Sequence, residues 1–178
     1  MLLLTLPFAV LAALAFGLGP ATIPALYLAA VTPELVRVDL REHRLPNRMV
    51  VPGIVVGLVA CALTGSPIPV IAALAFAGLL WVLGLAGGIG MGDVKLAALL
   101  GLASPTPAIA VAAPTVAFLL GGAAAFLVLA TRGRGARIAF GPWLLAGYWL
   151  TVALALVATA GPYLSAATGA SGMTAGAP

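Results

Sequence analysis

The stretch GGIGMGDVKL, Gly87 to Leu96, sets Asp93 and Lys95 between two apolar runs, and four of the six residues from Gly87 to Gly92 are glycine. Upstream, residues 68 to 87 carry no charge; downstream, apolar sequence resumes from 94 to 104. A glycine-rich, charged break between two such runs marks a chain reversal or a broken helix rather than the interior of one element. Irregular backbone of this kind is tolerated at membrane depth only where protein or a watery cavity satisfies its polar groups.

The rest of the chain is apolar to the same degree. It has 178 residues, of which 63% are hydrophobic and 7% charged, with a mean hydropathy of +1.24. Twelve Lys, Arg, Asp and Glu side chains cannot cover the surface of a soluble domain of this length. Apolar runs recur at about the 17–25 residues that cross a bilayer core. They occupy roughly 2–18, 21–38, 49–64, 68–87, 94–104, 107–130 and 140–160. The expectation is an all-α, polytopic transmembrane helix bundle of about seven membrane segments, with a short Gly-rich broken or re-entrant element at 87–104. Short alternating strands, the mark of a membrane β-barrel, are absent from the pattern. The N-terminal run lacks a basic n-region and reads as a retained span rather than a signal peptide. Residues 1–20 form this extra segment, 21–160 the main membrane domain, and 161–178 a Gly, Ala, Ser and Thr tail expected to be disordered.

Charge supplies a check on the segment count. When sides alternate along the seven segments, Arg37, Arg41, Arg44, Arg48, Lys95, Arg132, Arg134 and Arg137 all fall on one side. By the positive-inside rule that side is cytoplasmic, the N-terminus is inside and the tail outside. The calculated pI near 10.0 therefore reports topology and does not indicate a nucleic-acid partner. Glu34, Asp39, Glu42 and Asp93 lie at or near the same face. Cys61, the one cysteine, stands in an apolar run, so neither a disulfide framework nor a paired-cysteine metal site can form. The glycine pairs Gly53/Gly57 and Gly84/Gly88 read as close helix packing.

Asp39, in VDLREHRLPNR, and Asp93, in GMGDVKL, share that predicted face and depth. Ionisable groups at membrane depth are costly and mark function by default. Two carboxyl groups at close range share a proton, which suits aspartyl protease chemistry: one activates water, the other protonates the carbonyl and the leaving amine. No metal or other cofactor is required. Side-chain-free glycines would let an extended substrate approach the loop, and would permit φ > 0. Blander roles remain open. Asp39 could pair with Arg37, Arg41 or His43 in an interfacial collar, and Asp93 could be a helix N-cap.

Gly90-Met91-Gly92-Asp93-Val94-Lys95-Leu96 resembles the GxGD signature of the type IV prepilin peptidases, membrane-embedded aspartyl proteases. Asp39 followed by Arg44-Leu45-Pro46-Asn47 resembles the other active-site segment of that family, and Ile138 to Trp143 resembles its PFGP-type run, with Ala139 in place of the first proline. The resemblance covers about residues 22 to 160. It implies that Asp39 and Asp93 are the catalytic pair, that Gly90 and Gly92 shape the loop, and that Pro46 and Asn47 fix the chain as it turns back into the membrane. Lys95 receives no clear role, with a lipid headgroup contact as the default. The implied substrate is a prepilin or pilin-like protein with a basic leader, cut at the cytoplasmic face of the inner or plasma membrane, and no nucleic acid is involved. Bifunctional family members carry a cysteine-paired domain that methylates the new pilin N-terminus. Nothing between the first two segments here could be that domain, so a peptidase without the methyltransferase activity is expected, similar to the short members associated with Flp/Tad-type pili or archaeal flagellins. The rival readings are a small proton-coupled transporter and an inactive scaffold for pilus or secretion assembly.

Overall fold

The computed structural model describes residues 2–85, 89–132 and 139–173. Those residues form helices and no strand: α1 Leu2–Phe16, a 3-10 turn at Pro20–Thr22, α2 Ile23–Glu42, α3 Asn47–Thr64, α4 Ile68–Leu85, α5 Met91–Leu102, α6 Pro107–Arg132 and α7 Gly141–Met173. The breaks fall where the sequence places Gly, Pro and charge. Gly65, for example, ends α3 with φ +66, in the left-handed region that glycine adopts without steric cost.

Pro20–Glu42, Asn47–Thr64, Ile68–Leu85, Pro107–Thr131 and Gly141–Ala160 are each long and apolar enough to cross a membrane. Helix α5 is not. Its 12 residues span about 18 Å at 1.5 Å per residue, against a hydrocarbon core of roughly 30 Å. It is also the most enclosed helix. Leu96, Ala97, Leu99, Leu100, Gly101 and Leu102 are all buried, because α5 runs up the middle of the bundle against α2, α3, α4 and α7. The short fifth segment is thus a buried central helix.

Small residues set how closely the helices approach. A Cβ added at Gly101 would run into the backbone of Ala73 on α4, and one at Gly147 into that of Ala117 on α6. The pair Gly53 and Gly57 faces α2 and α5: a Cβ would lie 2.6 Å from Tyr27 Cε1 at the first and 2.7 Å from Leu102 Cβ at the second. In lipid such close van der Waals packing, rather than the hydrophobic effect, drives helix association. Polar groups tie the bundle at chosen points. Tyr27 Oη donates to the Met49 carbonyl (2.7 Å), and Tyr148 Oη to the Ala103 carbonyl just past α5 (2.6 Å). The second bond satisfies a carbonyl that the helix end leaves free. Trp149 Nε1 donates to Thr32 Oγ1 at 3.0 Å and its ring packs on Phe8 of α1, with centroids 4.9 Å apart.

Helix α7 continues past Gly161, where the sequence suggests a disordered tail, and stays helical through Met173. Ala166, Ala167 and Ala170 favour helix there although the stretch lacks periodicity. Residues 174–178 lie outside the described residues, as do 86–88 and 133–138, which take in Gly87, Gly88, Arg134 and Arg137.

Candidate active site

The C-terminus of α2 and the N-termini of α3, α5 and α7 meet at one end of the bundle. Asp39 stands in the last turn of α2, with only 4% of its surface exposed. An anion there faces the negative end of its own helix dipole. Helix α7 offsets this, because Gly141, its first residue, donates its N–H to Asp39 Oδ2 at 3.1 Å and brings the positive end of a second helix to the carboxylate. Gly141 is itself held by Phe140, whose ring lies 5.9 Å from Phe118 on α6 and covers Gly121. A side chain at Gly141 would force the carboxylate or the helix to shift, since its Cβ would lie 2.7 Å from Asp39 Oδ2. Just beyond α2, His43 adopts φ +51 and returns its N–H to the Asp39 carbonyl at 2.9 Å, closing the helix. Arg37 makes its ion pair with Glu34 (3.0 Å) and not with Asp39. The buried second carboxylate oxygen of Glu34 has no hydrogen-bond partner among the described residues.

Asp93 is held locally. Its N–H donates to the Gly90 carbonyl at 3.0 Å, and its Oδ2 accepts the Gly90 N–H at 3.3 Å. Gly90, not Asp93, is the N-cap: Asp93 is the third residue of α5, and its carboxylate binds back to the N-cap N–H, the half of a capping box that a glycine N-cap allows. This bond anchors the start of α5. It does not use up the residue, which also faces the cleft described below. Burial and then the nearby charge of Asp39 push the Asp93 carboxyl up to about 6, against the lowering effect of the Gly90 N–H. Asp93 lies outside the five spans, in the first turn of the short α5.

The loop glycines work differently from the sequence expectation of φ > 0. Gly90 has φ −81 and ψ 153, ordinary extended backbone, and the positive-φ glycines among the described residues are Gly17 and Gly65. Gly92 serves close approach instead. Its missing Cβ would lie 3.1 Å from Leu45 Cβ, and the Leu45 side chain also reaches within 3.4 Å of where a Gly141 Cβ would be. Leu45, in the link 43–46, therefore packs between the two glycines that flank the aspartates.

Asp39 and Asp93 line one open cleft of about 280 Å³, together with Gly90, Gly92, Asn47 and Lys95. Lys95 Nζ donates to Asn47 Oδ1 at 3.0 Å, so the lysine ties the start of α5 to the start of α3. Pro46 precedes that helix with φ −72 and ψ 119, and its carbonyl accepts the Met49 N–H at 3.0 Å. All seven residues singled out from sequence thus gather at one end of the bundle, and six of them line the cleft. Gly141 and Leu45 were not singled out. Both sit in family-like runs, but neither carries a chemical group that marks it; only their contacts give them importance. Among the described residues no three His, Cys, Asp or Glu side chains gather to hold a metal. The arrangement offers two carboxyl groups of unequal exposure facing one space, which is the equipment for activating water and protonating a leaving group.

A model of the type IV leader peptidase family matches residues 26–176, and the chain belongs to that family. Neither curated proteins nor solved structures gave a match. The match begins within α2 and leaves α1 outside it.

Proposed function

We propose that this member of the type IV leader peptidase family is an aspartyl endopeptidase in which Asp39 and Asp93 are the catalytic pair. The observation that carries the reading is their convergence: two aspartates 54 positions apart (93 − 39) line a single cleft at one end of an otherwise apolar bundle. Asp93, pushed up to about 6, is suited to hold the shared proton. Asp39, bonded by the Gly141 N–H, is suited to carry the charge and take a proton from water. The water then attacks the scissile carbonyl, Asp93 protonates the carbonyl oxygen, and the proton gained by Asp39 passes to the departing amine. The helical form of a peptide bond resists such attack, so the substrate lies extended in the cleft, and Gly90 and Gly92 leave space for its backbone.

The substrate in this reading is a prepilin-like protein with a basic leader and an apolar segment after the cut, of the Flp/Tad kind. The gathering of basic residues at the cleft end supports a cytoplasmic placement of that end in this reading, by the positive-inside rule. No methyltransferase function is assigned. Co-expression with candidate prepilins, following leader removal by gel mobility, tests the proposal. Asp39→Asn and Asp93→Asn should each lower cleavage by at least about 100-fold, the scale of general acid–base catalysis, while the protein still inserts. Normal cleavage by either variant would end the dyad reading.

A further inference from the structure

A second opening adjoins the carboxylate cleft. Trp81, Gly84 and Leu85, near the end of α4, face Ile89, Met91 and Val94 across a groove of about 250 Å³. Met91 lines both the groove and the cleft, so the two spaces share one side chain as a wall. Apart from Gly84, every described residue lining the groove is apolar. Gly84 is the first half of the second glycine pair in the sequence, yet it does not behave as Gly53 does. Among the described residues, a Cβ at Gly84 would meet the Ile89 carbonyl oxygen at 3.4 Å and Ile89 Cβ at 3.9 Å, both ordinary contacts. No neighbouring helix among the described residues requires this position to be bare. What the missing side chain leaves is space, beside a Trp81 that is half exposed.

We propose that this α4–α5 groove receives the first apolar side chains following the scissile bond of the substrate. The inference rests on the leader peptidase reading above and adds a specificity site to it. An extended peptide advances about 3.3 Å per residue with side chains alternating in direction, so residues just beyond a bond held between the aspartates pass Met91 and reach the groove. Charged side chains entering such a groove lose hydration without a partner there. The groove therefore sets the direction of the chain: apolar residues after the cut lie along α4, and the residues before it occupy the open, polar cleft. Trp81 and Met91 supply the polarisable contacts that such a site uses.

The test uses the full chain in proteoliposomes, a prepilin that it cleaves, and the same prepilin with alanine at the first three apolar positions after the cut. Gly84→Leu fills the groove and Trp81→Ala removes one wall. Gly84→Ala, which the spacing accommodates, is the folded control. Gly84→Leu should raise KM for the native prepilin about 10-fold or more, within the range that hydrophobic pockets discriminate, with kcat little changed and the alanine substrate affected less. Trp81→Ala should narrow the difference in KM between the two substrates. Equal effects on both substrates, or loss of stability with KM unchanged, would overturn the groove proposal, with lipid then its occupant. A wild-type chain that cleaves no prepilin would instead remove the leader peptidase reading, and the groove proposal with it.

Discussion

Asp39 and Asp93 face the same cleft, but one is held by a residue 102 positions away and the other by its own turn. Asp39 depends on the N–H of Gly141, which stays in place only because α6 and Phe140 seat the start of α7. Asp93 depends on Gly90, three residues back, in a bond that forms whenever α5 begins where it does. The buried, distantly held carboxyl is sensitive to changes across the bundle. The locally held one tolerates changes in its neighbours, because an N-terminal turn can adjust without moving a second helix.

Substitutions at the holding glycines expose this difference most directly. Gly141→Ala places a Cβ 2.7 Å from Asp39 Oδ2, so carboxylate or helix must shift. A displacement near 1 Å at a reacting group costs on the order of 100-fold in rate. Cleavage assays on the co-expressed prepilin should show a loss approaching that, with helix content by circular dichroism retained. Gly92→Ala meets Leu45 Cβ at 3.1 Å, which the short link 43–46 can relieve by shifting a few tenths of an ångström, and should cost less. Gly90→Ala meets Asp93 Oδ2 at 3.6 Å and the Gly92 nitrogen at 3.9 Å, both ordinary contacts, on extended backbone, and should be the mildest of the three. If Gly90→Ala proves as damaging as Gly141→Ala, the contrast between distant and local support is wrong.

The raised Asp93 carboxyl has a stability consequence of definite sign. In the fold it keeps its proton up to about pH 6, whereas unfolded it loses it near 4. The group therefore favours the folded state below about pH 4, and that contribution is lost as pH rises through 6. Asn never ionises, so Asp93→Asn should match the wild type in melting temperature at pH 4 and exceed it at pH 7 in the same detergent. An equal shift at both pH values would show that burial of the charge is not the cause.

The smallest expected effect concerns Lys95. Its bond to Asn47 is exposed and worth about 1 kcal/mol or less in stability, but it joins the helix start that carries Asp93 to the one after Pro46. Lys95→Met and Asn47→Ala should each reduce kcat a few-fold, and the double variant should be no worse than either alone. Additive losses would mean that the two residues act separately, as a headgroup contact by the lysine would predict.

Much of the architecture was legible in the chain because membrane insertion reads residues nearly one at a time. Each apolar run must satisfy its backbone internally and so becomes helix. The breaks at Gly65 and at Pro46 follow from local backbone preferences. Glycine shows where this legibility stops. Gly53/Gly57 and Gly84/Gly88 look alike as spacings, yet Gly53 is pressed against Tyr27 while Gly84 meets only ordinary contacts among the described residues. Gly90 and Gly92 look alike as loop glycines, yet only Gly92 is needed for close approach. In each case the meaning lies in the neighbour, and spacing does not name the neighbour. The same limit applies to α7, whose helix through Met173 depends on alanine preference where periodicity is silent.

By itself the sequence determined that the chain is a helical membrane bundle, where its helices break, and which few ionisable groups could do chemistry, since hydropathy and charge act through solvation of each segment alone. Only the tertiary structure decided what holds those groups. Gly141 reaches Asp39, Leu45 fits between two glycines, and Lys95 finds Asn47 through contacts across large separations in the chain, and such contacts exist only once close packing has brought the helices together.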